Sequence, residues 1–68
     1  MITIFTNDDG NIVISNEAEG GGWEIVCIED VEIPLFELYE IPQFGGKPHF
    51  DKGVYTLKDA IEQTKLYT

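Results

Sequence analysis

The sequence predicts a small α+β fold: an antiparallel sheet of four to five strands with one C-terminal amphipathic helix packed on it. Short runs of β-branched and aromatic residues alternate with clusters of Gly, Asn, Asp and Pro, as expected for strands joined by turns. A pattern typical of a helix start occurs once, near the C-terminus. The chain has 68 residues with no internal repeat or linker, so we expect residues 1–68 to form a single domain.

The first predicted strands form a hairpin followed by a loop. Residues 2–6 and 12–15 are rich in Ile, Val and Thr, and they flank the segment 7–11, whose NDDGN sequence is typical of a tight turn. Residues 16–22 contain two glutamates and three glycines, which favour a flexible acidic loop. Residues 23–28 then form the next predicted strand, because Trp, Ile, Val and Cys dominate that run.

The second half of the chain is predicted to alternate between strand and loop. Pro34 indicates a break or an edge position, and residues 35–41 are the next strand. Residues 42–53 hold two prolines and three glycines, so we expect a loop or a loose hairpin connection there. Residues 54–55 are a short predicted strand.

The helix is predicted to begin at a capping box. Thr56 is the expected N-cap, with Asp59 at the third helical position. Leu57, Ala60, Ile61 and Thr64 are spaced so that they share one face of a helix, which we expect to pack on the sheet.

Size limits what the fold can contain. For 7.7 kDa, scaling predicts a folded surface of roughly 4,300 Å² and a core with little material to spare. An enclosed active site would remove part of that core. Paired carboxylates are plentiful, but acid–base catalysis needs one of them buried in a cleft, and we therefore expect no enzyme activity.

Charge is the strongest compositional signal. Thirteen acidic residues face four lysines and no arginine, and residues 1–46 hold ten of the carboxylates and no lysine. Nucleic-acid binding depends on basic residues that neutralise phosphates, and an anionic membrane repels an acidic chain. We therefore expect no direct contact with nucleic acid or membrane, and a basic protein surface as the partner. The alternative is that the net charge of −9 only confers solubility.

None of the chemistry-bearing motifs is assigned a catalytic, cofactor-binding or metal-binding role. The glycines at 20–22 precede a strand rather than the helix that a phosphate loop requires. The segment 7–11 lies between strands and not between the helices of an EF-hand. Cys27 lies in an apolar strand within an acidic stretch, a setting that raises the pKa of a thiol, and we expect it in the core. His49 is expected in an exposed loop.

Location follows from cysteine use and from the N-terminal residues. Cys27 is the single cysteine, so no disulfide forms within the chain. The first residues lack the basic and apolar regions of a signal peptide, and no apolar run approaches 18 residues. We expect a cytoplasmic protein.

The acidic residues of the predicted strands suggest a binding surface. Residues two apart on a strand share a face, and Glu24, Asp30, Glu32 and Glu40 have one parity while Glu29 and Glu37 have the other. A row of such carboxylates can imitate a nucleic-acid backbone and occupy the basic groove of a DNA- or RNA-binding protein, as small acidic phage inhibitors do. Phe44 and Phe50 are the expected aromatic anchors. The predicted partner-binding residues are Glu24, Glu29, Asp30, Glu32, Glu37, Glu40, Phe44 and Phe50.

A second hypothesis is a structural or accessory module that self-associates. Small cores without disulfides or metals gain stability by dimerising. An unpaired edge strand near Pro34 or Val54 is the expected seam of a homodimer.

Overall fold

The computed structural model describes residues 1–18, 20–29 and 32–67. It contains one five-stranded antiparallel sheet and one helix, which confirms the predicted α+β class. In chain order the elements are β1 (Ile2–Thr6), β2 (Ile12–Ala18), β3 (Gly21–Ile28), β4 (Leu35–Ile41), β5 (His49–Val54) and α1 (Leu57–Thr64).

The strands form a meander, with spatial order equal to chain order. Each strand pairs with the one before it, so every connection is local, and β1 and β5 are the two edges. The first turn is stabilised by Asn7, whose Oδ1 accepts hydrogen bonds from the backbone N–H of Asp9 at 3.1 Å and of Asn11 at 3.0 Å. Gly10 adopts φ +84°, which a residue with a side chain rarely does. The predicted hairpin is confirmed at this turn.

The helix begins as predicted. The Thr56 hydroxyl oxygen accepts a hydrogen bond from the Asp59 backbone N–H at 3.1 Å, which satisfies one of the free donors of the first turn. Ala60 and Thr64 are buried, whereas Leu57 and Ile61 remain 40% and 48% exposed. The predicted apolar face is therefore only half covered, because the helix packs mainly on β4 and β5 and reaches the other strands little.

The hydrophobic core lies between the sheet and the helix. Trp23, Ile25 and Leu38 project from β3 and β4 towards Ala60 and are buried with it. Ile14, Cys27, Phe36, Val54 and Tyr67 pack around this cluster. We call this side of the sheet the helix face.

In the described ranges, the other side of the sheet carries no helix, and we call it the open face. Pairing partners across an antiparallel ladder share a face, so the register places Val13, Val26 and Phe5 together there. Val13 and Val26 are buried by their neighbours even though no second layer covers them. The molecular surface is 4956 Å², larger than size scaling predicts, because one face of the sheet stays open.

The second hairpin differs from the sequence prediction. Residues 16–22 were expected to form a loop, yet β2 continues to Ala18 and β3 begins at Gly21. The glycines permit this: Gly20 and Gly21 have φ +93° and +115°. A Cβ on Gly22 would lie 2.0 Å from the backbone oxygen of Asn16, so this glycine allows a close approach of the two strands and not a flexible loop.

The fifth strand begins earlier in the chain than predicted. Residues 42–53 were expected to form a loop, but β5 spans His49–Val54 and pairs with β4. Its HFDKGV sequence lacks apolar alternation, and its residues 49–53 are exposed. A bulge explains the lost periodicity, because Tyr39 faces Phe50 while Leu38 faces Lys52, which leaves Asp51 as the extra residue. Of the predicted strand 54–55, Val54 is the last residue of β5 and Tyr55 lies outside it.

Candidate acidic binding face

Among the described residues, three carboxylates lie on the open face, one on each central strand. Glu24 of β3 is opposite Ser15 on β2 and Tyr39 on β4. Glu17, opposite Gly22, and Glu37, opposite Val26, are therefore its diagonal neighbours, at a separation of about 7–8 Å. We call Glu17, Glu24 and Glu37 the acidic diagonal.

The members of the acidic diagonal affect one another and Tyr39. Partial burial raises the pKa of Glu24, and the negative charge of Glu17 raises it further. The Tyr39 hydroxyl donates a hydrogen bond to Glu37 Oε1 at 3.3 Å. Burial, the charge and hydrogen bond of Glu37, and the charge of Glu24 all raise the pKa of Tyr39. Burial is the larger cause of both raised pKa values, and the neighbouring negative charges add to it.

Two of the lysine side chains lie away from the acidic diagonal. Lys65 pairs with Glu62 on the helix at 3.3 Å, and Lys52 faces Leu38 on the helix face. Among the described strand residues that the register places on the open face, none is a lysine or a histidine. The negative potential of the acidic diagonal is thus directed to solvent.

Exposed aromatic rings flank the acidic diagonal on both sides. Phe50 of β5 packs edge-on against Tyr39, with ring centroids 5.6 Å apart and planes inclined by 71°. It remains 57% exposed. Phe5 of β1 lies on the opposite margin of the same face and is 44% exposed. The open face therefore offers three carboxylates between two aromatic rings.

The structure brings some predicted site residues together and separates others. Glu24, Glu37 and Phe50 share the open face, whereas Glu40 pairs with Trp23 and points to the helix face. The parity grouping, which joined Glu24 with Glu40 and separated both from Glu37, is wrong for these strands because pairing register decides the face.

The remaining predicted residues lie at the ends of the sheet. Glu29 directly follows β3, and Glu32 lies in the connection to β4; both are exposed at the end that also holds the first turn. Phe44 lies in the β4–β5 loop at the opposite end, 95% exposed. Asp30 lies outside the described residues.

Sequence reasoning missed Glu17 as a site residue. It was assigned to a loop because Gly20, Gly21 and Gly22 follow closely, yet it is a strand residue on the open face. The alternation of residues 12–17 was the signal: Val13, Ser15 and Glu17 share a face if the strand continues.

The structure assigns Cys27 and His49 to different places. Cys27 packs beside the core, and burial raises the pKa of its thiol, as the sequence suggested. It also lines a depression of about 370 Å³ with Gly10, Asn11, Ile12 and Glu29. His49 is exposed as predicted, but on β5 and not in a loop. Cys27 is level with Val54, two strands away, and His49 lies five residues further along β5. The two side chains are therefore about 16 Å apart along the strands and two strand spacings apart across the sheet, so they form no nucleophile–base pair.

The described residues contain neither a metal-ligating cluster nor a membrane-spanning helix, and no related protein matches the chain. In the described part of the chain, no group of three or more His, Cys, Asp or Glu side chains is arranged to hold a metal ion. No helix within the described ranges has the length and apolarity needed to cross a membrane. No protein-family model matches the sequence, and neither the curated proteins nor the solved structures include a match.

Proposed function

We propose that this chain is a non-enzymatic binding module whose open face engages a basic protein surface and inhibits or regulates that partner. The observation that carries the proposal is the acidic diagonal itself: Glu17, Glu24 and Glu37 on one uncovered sheet face between Phe5 and Phe50. Complementary charge accelerates encounter and selects the partner, while exposed aromatic rings supply contact area.

The chemistry of the partner follows from this arrangement. Lysine and arginine side chains satisfy carboxylates, and arginine also stacks on aromatic rings such as Phe50 and Tyr39. Surfaces rich in both residues are typical of nucleic-acid-binding grooves. A protein that uses such a groove is the proposed target, and the module competes with nucleic acid for it.

The raised pKa of Glu24 supports a binding role more than a stabilising one. Burial and the negative charge of Glu17 both disfavour the ionised form of Glu24. The like charges on this face therefore oppose folding. Basic groups of a partner would relieve this repulsion.

Two triple variants with equal net charge test the proposal. Glu17→Gln, Glu24→Gln and Glu37→Gln together remove the acidic diagonal. Asp8→Asn, Asp9→Asn and Glu29→Gln remove three carboxylates at one end of the sheet. Each changes the net charge from −9 to −6, since three of thirteen acids are neutralised against four lysines. Circular dichroism and thermal melting establish that both fold.

The assay begins with a tagged pull-down from lysate at low salt and at about 0.5 M salt, where screening shortens the range of charge interactions well below 10 Å. Proteins identified by mass spectrometry are then purified, and their affinity is measured with and without competing duplex DNA.

We expect a basic nucleic-acid-binding protein whose binding is displaced by DNA and weakened by salt. The open-face variant should bind at least about tenfold more weakly, about 1.4 kcal/mol, and the sheet-end variant should remain close to wild type. Equal loss in both variants would show that only total charge matters. Binding whose affinity is unaffected by salt and by competing DNA would refute the electrostatic mechanism.

A further inference from the structure

The two edges of the sheet are unequal. β5 carries a bulge, Asp51 and Lys52, and it contacts the helix. Bulges, charges and covering elements are the usual devices that prevent an edge strand from pairing with another chain. β1 has the sequence ITIFT, without charge, proline, glycine or bulge, and all five of its residues are exposed.

The apolar surface of β1 continues onto the helix face. Ile2 and Ile4 are 61% and 68% exposed, and the neighbouring Ile12 on β2 is 48% exposed. The helix leaves them uncovered because it packs on the same face near the opposite edge of the sheet, on β4 and β5. An unpaired backbone edge and an uncovered apolar strip thus coincide.

We propose that β1 pairs antiparallel with β1 of a second copy, giving a twofold dimer with a continuous ten-stranded sheet. Centred on Ile4, this pairing sets Ile2 opposite Thr6 and Thr3 opposite Phe5 of the other copy. Because side chains alternate with period two, the helix faces of both copies then lie on the same side, and the isoleucine strips adjoin. The expected seam near Pro34 is wrong, since β4 is an inner strand, and Val54 lies on the protected edge.

The uncharged, unprotected edge of β1 fits a second copy as the occupant. Two chains of net charge −9 repel each other, so their association is least opposed at a surface that carries no carboxylate. β1 is such a surface and is complementary to itself, whereas a basic peptide would find no charge there. The outer edges of the dimer are both β5, so the assembly closes at two copies.

The contact is small and the dimer is therefore weak. Full burial of one large apolar side chain corresponds to roughly 100 Å². Summed over their exposed fractions, Ile2, Ile4, Phe5 and Ile12 offer at most about 220 Å² per copy, against about 800 Å² in a standard interface. We expect a dissociation constant of about 0.1 mM, within about tenfold.

Sedimentation equilibrium tests the proposal, with loading from about 10 µM to about 2 mM and at two salt concentrations. The mass should rise from 7.7 kDa towards twice that value. Added salt should strengthen the dimer because it screens the repulsion. This sign is opposite to that expected for the partner of the acidic diagonal, so the two proposals fail separately.

Matched variants locate the seam. Ile4→Lys sets two lysines face to face at the centre of the pairing and should weaken the dimer at least about tenfold. Phe44→Lys adds the same charge at a 95% exposed position at the other end of the sheet and should dimerise as wild type. Hydrogen exchange of the wild type is independent of any variant, and its β1 amides should become more protected as concentration rises.

A constant monomer mass in the wild type up to about 2 mM overturns the proposal. So does a folded Ile4→Lys variant that dimerises as strongly as wild type, because association then uses another surface. The proposal is also overturned if hydrogen exchange of the β1 amides stays unchanged over a concentration range in which the mass doubles.

Discussion

Leu38 is the side chain whose removal should most damage the fold. It is fully buried at the centre of β4, opposite Ile25, in the cluster closed by Ala60. Leu38→Ala deletes three carbon atoms, a transfer loss of roughly 2.4 kcal/mol at about 0.8 kcal/mol each. The cavity left behind raises the cost to about 3–5 kcal/mol. A 68-residue chain has a total stability of roughly 3–10 kcal/mol, so this variant should lose a third of its stability or more.

Urea unfolding followed by the fluorescence of Trp23 measures this loss. Trp23 is the single tryptophan and is 8% exposed in the same cluster, so its emission should report the opening of the core. Ile25→Val, with an expected cost of about 0.5–1.5 kcal/mol, retains a native baseline if Leu38→Ala is too unstable to measure. Leu66→Ala is the exposed control, with an expected change within about 0.5 kcal/mol. A loss below about 1 kcal/mol for Leu38→Ala, at unchanged dependence on urea, would refute the described core.

Two further substitutions test the open face and the second hairpin. Because the folded protein raises the pKa of Glu24, it binds this proton more tightly than the unfolded chain. The stability associated with Glu24 is therefore full below the ordinary pKa of 4.5 and falls as pH rises through the raised value. Glu24→Gln should accordingly stabilise the protein at pH 7 by a few tenths of a kcal/mol, and this gain should vanish in melting curves below about pH 4; a loss of stability at pH 7 would contradict the described repulsion. Gly22→Ala should destabilise the protein by about 1–3 kcal/mol in the urea assay, since its Cβ would meet the Asn16 backbone oxygen. Gly45 has open space around it but φ +91°, so Gly45→Ala should cost about 1 kcal/mol through backbone strain. A cost below about 1 kcal/mol for Gly22→Ala would contradict the close approach of the Asn16 backbone to this glycine.

Features defined by short-range chemistry were predictable from the sequence. The turn around Asn7, the strand Leu35–Ile41 and the cap at Thr56 all depend on residues close to one another in the chain. Their hydrogen bonds and alternation are visible as residue types at fixed spacing.

Features that depend on strand pairing were not predictable from the sequence. The strand His49–Val54 forms because β4 offers it a partner, and its bulge removes the alternation that would have revealed it. The extension of β2 to Ala18 depends on a close approach that Gly22 permits, whereas glycines in sequence suggest a loop.

The candidate site shows the same division. Composition established that the protein is acidic, and the positions of residues in predicted strands and loops placed Glu24, Glu37 and Phe50 among the predicted partner-binding residues. Only the register joined those three residues with Glu17 on one face and turned Glu40 to the other. The physical reason is that alternation assigns faces within a strand, while the face shared by two strands is set by which of their residues hydrogen-bond opposite each other. Net charge and local turns were thus determined by the sequence, and the position of charge on the surface was decided by the tertiary structure.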